Sequence, residues 1–247
     1  MKGTFFSKPL EWNIETREET WQQNGIITGT LKVTNHGADS FELNNHGVAI
    51  AYADVKKVHA KTEGILVPSD EMKLPSEIIP LGGHKTIEFS LTLPENCPIT
   101  DKKSSWFLSY GKNSTENHLM LNVGPLALFT KIIGLLDTFQ RFKVKEVKAA
   151  KSGVEFKLTP PTSREFANLE SLSTLFSLKD KTLKINYEFQ VKKLDTDSPV
   201  TKLKKEVVKL SKELTEKEYL LGRDMINQDQ ILKSIESALK EVKLNGF

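Results

Sequence analysis

Lys85–Lys112, KTIEFSLTLPENCPITDKKSSWFLSYGK, is the stretch that decides the fold. Ile87, Phe89, Leu91 and Leu93 alternate with Glu88, Ser90 and Thr92, the period of two expected of a strand that is wet on one face. Pro94 and Pro98 then forbid regular pairing, because proline has no N–H to give to a ladder. Ser105–Tyr110 follows as a second strand dense in aromatic residues. The stretch therefore reads as two strands joined by a proline-bearing crossover, and none of its residues points to chemistry.

Working towards the N-terminus, the pattern stays β. Glu11–Thr16 alternates around Trp12 and Ile14. Gly25–Thr34, GIITGTLKVT, puts Ile27, Leu31 and Val33 near one face, with Gly29 marking a bulge or a close backbone approach. Asn35-His36-Gly37 is a turn signal. Ser40–Leu43 and Val48–Lys57 read as further strands, and Val58–Val67 as an extension or repeat of the latter. Met72–Leu81 is irregular. Towards the C-terminus, His118–Val123 supplies one more strand through Leu119, Leu121 and Val123. Short strands separated by turns at this spacing indicate a β-sandwich over 1–124 rather than βαβ units.

Gly124-Pro125 marks a boundary, and the period then changes. Leu126–Phe139 carries Leu128, Ile132, Leu135 and Phe139 on one helical stripe. It is too short to cross a bilayer and is expected to pack between the two halves of the chain. Phe142–Ala149 and Val154–Leu158 read as a hairpin turning at Lys151-Ser152-Gly153. Thr162 or Ser163 is expected to cap a helix that buries Phe166, Leu169, Leu172 and Phe176. Leu183–Val191 is a strand with its odd-numbered residues on one face. Residues 125–195 thus read as a connecting helix followed by a small α+β unit of hairpin, helix and strand.

Asp195–Pro199 reads as a linker, and the highly charged remainder, 196–247, as a helical hairpin. Leu203, Val207, Leu210 and Leu214 recur at four-three-four spacing, and Leu232, Ile235, Leu239 and Val242 at three-four-three. Both stripes are narrow, as in a coiled-coil seam. These eight residues are the candidate partner-binding positions, serving a protein partner or self-association. The expected class is α+β, mainly β.

Composition narrows the function classes. The 247 residues carry 35 basic and 32 acidic side chains, a formal net charge of +3. So balanced a chain gives little reason to expect a nucleic-acid partner, and aromatic residues are not interleaved with the dispersed lysine pairs as a single-strand binder would need. The single Cys97 excludes an intrachain disulfide and fits a reducing compartment. No signal-peptide run opens the sequence, so a cytoplasmic protein is expected.

The histidines are His36, His46, His59, His84 and His118; none forms HExxH or is paired with cysteine at zinc spacing. Cys97 lies between Asn96 and Pro98, where nothing nearby in sequence would depress its pKa. Gly82-Gly83 lacks the lysine and helix of a phosphate loop. The expectation is a protein that is not an enzyme and uses no cofactor or metal.

The strand pattern resembles the arrestin fold family. Gly25, Gly29, Leu31 and Val33 match its early glycine-spaced strand. Phe89, Leu93, Pro94 and Pro98 match its Leu-Pro crossover, and Trp106, Leu108 and Tyr110 the aromatic strand after it. The resemblance covers residues 10–123; a second sandwich, which arrestins carry, is not legible in the remainder. It implies a non-enzymatic adaptor or scaffold, as in arrestins and bacterial sporulation-control proteins. The alternative is a peripheral membrane protein, with 126–139 lying in the lipid interface as an amphipathic helix.

Overall fold

The structure is a computed structural model and describes residues 1–195, 202–222 and 225–246. Strands make up about 53% of the chain and helices 18%, which places it in the mainly-β α+β class. The chain divides into two compact units, Met1–Gly124 and Pro125–Phe247.

The first unit holds eleven strands in chain order: β1 (Lys2–Ser7), β2 (Leu10–Thr16), β3 (Thr20–Gln22), β4 (Ile26–Asn35), β5 (Phe41–Glu42), β6 (His46–Asp54), β7 (Pro68–Lys73), β8 (Ile78–Ile79), β9 (His84–Thr92), β10 (Ser104–Lys112) and β11 (Asn117–Gly124). They form a four-stranded sheet ordered β1-β2-β4-β9, a five-stranded sheet ordered β3-β11-β10-β6-β7, and the small pair β5-β8. Residues from both larger sheets share one core. Trp12, Ile14, Leu31 and Phe89 come from the first, and Ile50, Trp106, Leu108 and Leu121 from the second.

Two features of the sequence explain the geometry. A Cβ on Gly29 would lie 2.2 Å from the Glu15 carbonyl oxygen, so β2 and β4 approach closely only because that position is glycine. The crossover after β9 leaves the sheet at Pro94, and the Trp106 indole N–H then donates to the Pro98 carbonyl at 2.7 Å. The expected strand over Val58–Val67 is not formed. A short helix, α1 (Val55–His59), is capped by the Asp54 carboxylate accepting from the Lys57 N–H, and a loop follows it. Val58 packs there with Ala53 and Phe107 on the outer face of the second sheet.

The second unit is one antiparallel sheet covered by helices. Its strands are β12 (Lys143–Ala150), β13 (Gly153–Thr159), β14 (Leu169–Lys179), β15 (Thr182–Asp195) and β16 (Lys202–Leu214), hydrogen-bonded in that order. The helices are α2 (Ala127–Gln140), α3 (Glu216–Tyr219) and α4 (Gln228–Gly246). A Cβ on Gly153 would lie 1.8 Å from the Phe176 carbonyl oxygen, which fixes glycine at the β12–β13 turn. In α2, Phe129, Ile132, Ile133, Leu135 and Leu136 are buried, and the Phe129 ring meets Phe176 of β14 at 5.4 Å. The apolar face proposed for a lipid interface is therefore occupied within its own unit, with Phe139 left exposed.

Two expected helices are strands. The helix over Phe166–Phe176 is replaced by a 3-10 turn, Arg164–Phe166, and then β14. A register shift between Leu169 and Ser171 adds one residue to the strand, so Leu169 and Leu172 face the same side three residues apart, imitating helical spacing. The first arm of the expected C-terminal hairpin is β16, paired over its whole length with β15; only the second arm is a helix. The expected linker over Asp195–Pro199 falls largely outside the described residues.

Candidate binding groove

An indentation of the first unit lies at the open side of its sandwich, where β1 of one sheet passes β11 of the other. It encloses roughly 630 Å³, within the range of small-ligand and peptide side-chain sites. Gly3 brings the strands together: a Cβ there would lie 2.7 Å from a Leu119 methyl carbon.

Register assigns each wall. Phe5 pairs with Trp12, so its ring points to the interior side, yet it stays 39% exposed. Tyr110 pairs with Asn117 and Leu108 with Leu119, which turns Asn117 and Leu119 to the same interior side. Phe5, Tyr110, Asn117 and Leu119 therefore form the inner wall. The outer wall is made by Val58, Ile65, Leu66 and His118, with Lys61, Thr62 and Glu63 of the intervening loop also lining the groove. The Ser7 hydroxyl donates to the Glu116 carboxylate at one end, tying β1 to the start of β11.

Three of the polar groups that line it have distinctive surroundings. Asn117 is buried, and neither amide atom of its side chain has a hydrogen-bond partner. An unpaired buried amide costs about 1–3 kcal/mol. Burial pushes the Tyr110 hydroxyl up to about 12, so it is a neutral donor at physiological pH. Partial burial, and secondarily the neighbouring His59, hold His118 below its ordinary value of 6.5. Its ring meets Phe107 edge-on at 5.5 Å.

Between the walls runs the main-chain edge of β11. Strand β3 covers that edge only at Asn122–Gly124. The Gln23 N–H donates to the Gly124 carbonyl, so the even-numbered residues of β11 present their main chain on that side. His118 and Met120 are the next two, past the end of β3.

Of the eight residues expected to bind a partner, the seven whose side chains are described do not form one exposed surface. Leu214, Ile235, Leu239 and Val242 are buried, Leu232 and Leu210 half-buried, and Val207 is 47% exposed. The side chain of Leu203 lies outside the described residues. The β1–β11 groove was not singled out from the sequence, because β1 carries no alternation of apolar and polar residues. The His118–Val123 strand was legible, and its lack of charge was the available signal. His59 and His118 are neighbours, whereas His46 is buried, stacked on Trp12 at 5.3 Å, with its Nδ1 2.8 Å from the Asn44 carbonyl. Among the described residues, no group of three or more His, Cys, Asp or Glu is placed to hold a metal ion, and no helix is long and apolar enough to cross a membrane.

Comparison with solved structures gives the fold. Spo0M, the sporulation control protein of Bacillus subtilis, superposes with a TM-score of 0.61 at 14% identity, covering 95% of this chain and 99% of its own. This chain has an arrestin-like fold. Two further matches are the alkylpurine DNA glycosylase AlkC of Pseudomonas fluorescens, at 9% identity over 47% of this chain and 30% of its own, and the C-terminal domain of Wzt, at 12% over 50% and 78%; each has a TM-score of 0.30. No protein-family model and no curated protein sequence matches. The superposition on Spo0M runs beyond residues 10–123, where the sequence motifs end.

Proposed function

We propose that this protein is a non-enzymatic, arrestin-like adaptor that binds a protein partner through its first unit. The observation carrying this reading is the groove between β1 and β11: an inward-facing aromatic ring left part exposed, a buried amide without a partner, and an uncovered strand edge between them. The arrestin-like fold supports a regulatory rather than a catalytic role. The likeness to a sporulation control protein extends the proposal to control of a cellular programme of that kind, with a cytoplasmic location.

The test is affinity capture with the full-length protein and a Phe5→Asp variant whose fold is verified by circular dichroism. A specific protein recovered by the wild type and lost with Phe5→Asp is the expected result. Equal recovery by both would move the binding surface away from the groove. Turnover of a small molecule by the purified chain would overturn the non-enzymatic reading.

A further inference from the structure

We infer that the uncovered edge of β11 at His118–Met120 accepts an added strand, and that the occupant is an extended, uncharged, apolar segment of a protein partner. This inference rests on the adaptor reading and specifies the chemistry of its partner.

Three observations carry it. First, the edge is open and correctly oriented. β3 stops at Asn122, and the parity fixed by the Gln23–Gly124 hydrogen bond turns the main-chain N–H and C=O groups of His118 and Met120 towards the groove. These are the groups that give affinity when a peptide is added to a sheet.

Second, the two walls match the alternation of a strand. Successive side chains of an extended peptide point to opposite faces. One set would enter the interior side beside Phe5 and Leu119, where the Asn117 amide lies beneath; the other would lie on Val58, Ile65 and His118. Phe5 and Leu119 on the inner wall, and Val58, Ile65 and Leu66 on the outer wall beside Lys61 and Glu63, offer apolar contact on both faces of the incoming segment.

Third, this edge lacks the protection given to others. Edge strands are commonly guarded against pairing by lysine. The edges of the second unit follow that rule: β12 carries Lys143, Lys145 and Lys148, and β16 carries Lys204, Lys205, Lys209 and Lys212. Several are held in ion pairs, such as Lys209–Glu188 at 3.0 Å. The open part of β11, Asn117–Leu121, contains no Lys, Arg, Asp or Glu, and Met120 is 54% exposed on it.

The test selects linear peptides displayed on phage against the full-length chain. Enriched peptides with blocked termini are then titrated calorimetrically into the wild type, Met120→Lys and Met120→Pro. Met120→Lys leaves the main chain intact and adds the guard found on β12 and β16. Met120→Pro removes one edge-facing N–H. The expected result is enrichment of uncharged peptides with alternating apolar residues, bound about tenfold more weakly by Met120→Lys and not measurably by Met120→Pro, with both variants folded. Hydrogen exchange at His118 and Met120 should slow only when peptide is present.

Equal binding to all three proteins would overturn the edge assignment and leave the adaptor reading standing. So would failure to enrich any peptide while a folded partner still binds through the Phe5 side of the groove. Slow exchange at both amides in the free protein, together with a concentration-dependent dimer, would overturn it in favour of a second copy as occupant. Absence of any peptide or protein partner would remove both readings.

Discussion

The Trp106 indole donates to the Pro98 carbonyl at 2.7 Å, so the crossover that leaves β9 is held by the strand it leads into. Trp106 is itself buried and tilted against Tyr52 at 5.6 Å. One side chain thus fills the core and satisfies a carbonyl that no ladder reaches.

Trp106→Phe keeps an aromatic ring but removes the donor and part of the volume. The expected loss of stability is about 1–3 kcal/mol, read as a lower midpoint in urea with an unchanged slope. No change in midpoint would mean that the Pro98 carbonyl finds another donor without cost.

Cys97 lies in the same crossover. It is buried, and burial raises its thiol pKa to about 11. The thiolate is the reactive form, so the native protein should resist a disulfide-exchange reagent at neutral pH and react at once when unfolded in denaturant. Rapid labelling of the folded protein would show that the crossover opens.

Much of the first unit was legible because a half-buried strand writes its geometry as strict alternation, as Ile87, Phe89, Leu91 and Leu93 do. The second unit misled for definable reasons. Leu169 and Leu172 are three apart because a bulge intervenes, not because they share a helical turn. In β16 the step from Leu210 to Leu214 is even and keeps one face; the step from Val207 to Leu210 is odd and changes it. A four-three-four pattern amid lysine and glutamate suits either geometry, and pairing with β15 decided it. The groove was hidden further still, since it depends on which strand edge β3 leaves uncovered.

Asn117 offers a test of stability against function. Its side-chain amide is buried and unpaired, so Asn117→Leu, close in volume, should stabilise the protein by about 1 kcal/mol. Thermal and urea denaturation would both show it. A loss of stability instead would mean that the amide is satisfied by ordered water.

His118 gives the pH dependence its sign. Its folded pKa is held below 6.5, first by burial and then by His59. The unfolded chain therefore takes up the proton first, and stability falls as pH drops below 6.5. The ring remains wet on one side, so the slope should be shallow. Denaturation midpoints on either side of 6.5 would measure it, and His118→Gln should flatten the profile. An unchanged slope in that variant would assign it to other groups.

Val207 and Leu210 separate the strand from the helix most cleanly. On a helical seam both would face the same partner, and aspartate at either would cost alike. In β16 they point to opposite faces: Leu210 pairs with Tyr187, whose side chain is buried, whereas Val207 pairs with Gln190 and is 47% exposed. Val207→Asp should change stability by no more than about 0.5 kcal/mol. Leu210→Asp sets a charge at the half-buried face beside Tyr187 and should cost about 1–3 kcal/mol. The two single variants, compared in the full-length protein by urea denaturation, decide between the geometries, because equal losses would restore the helix and unequal ones require the strand.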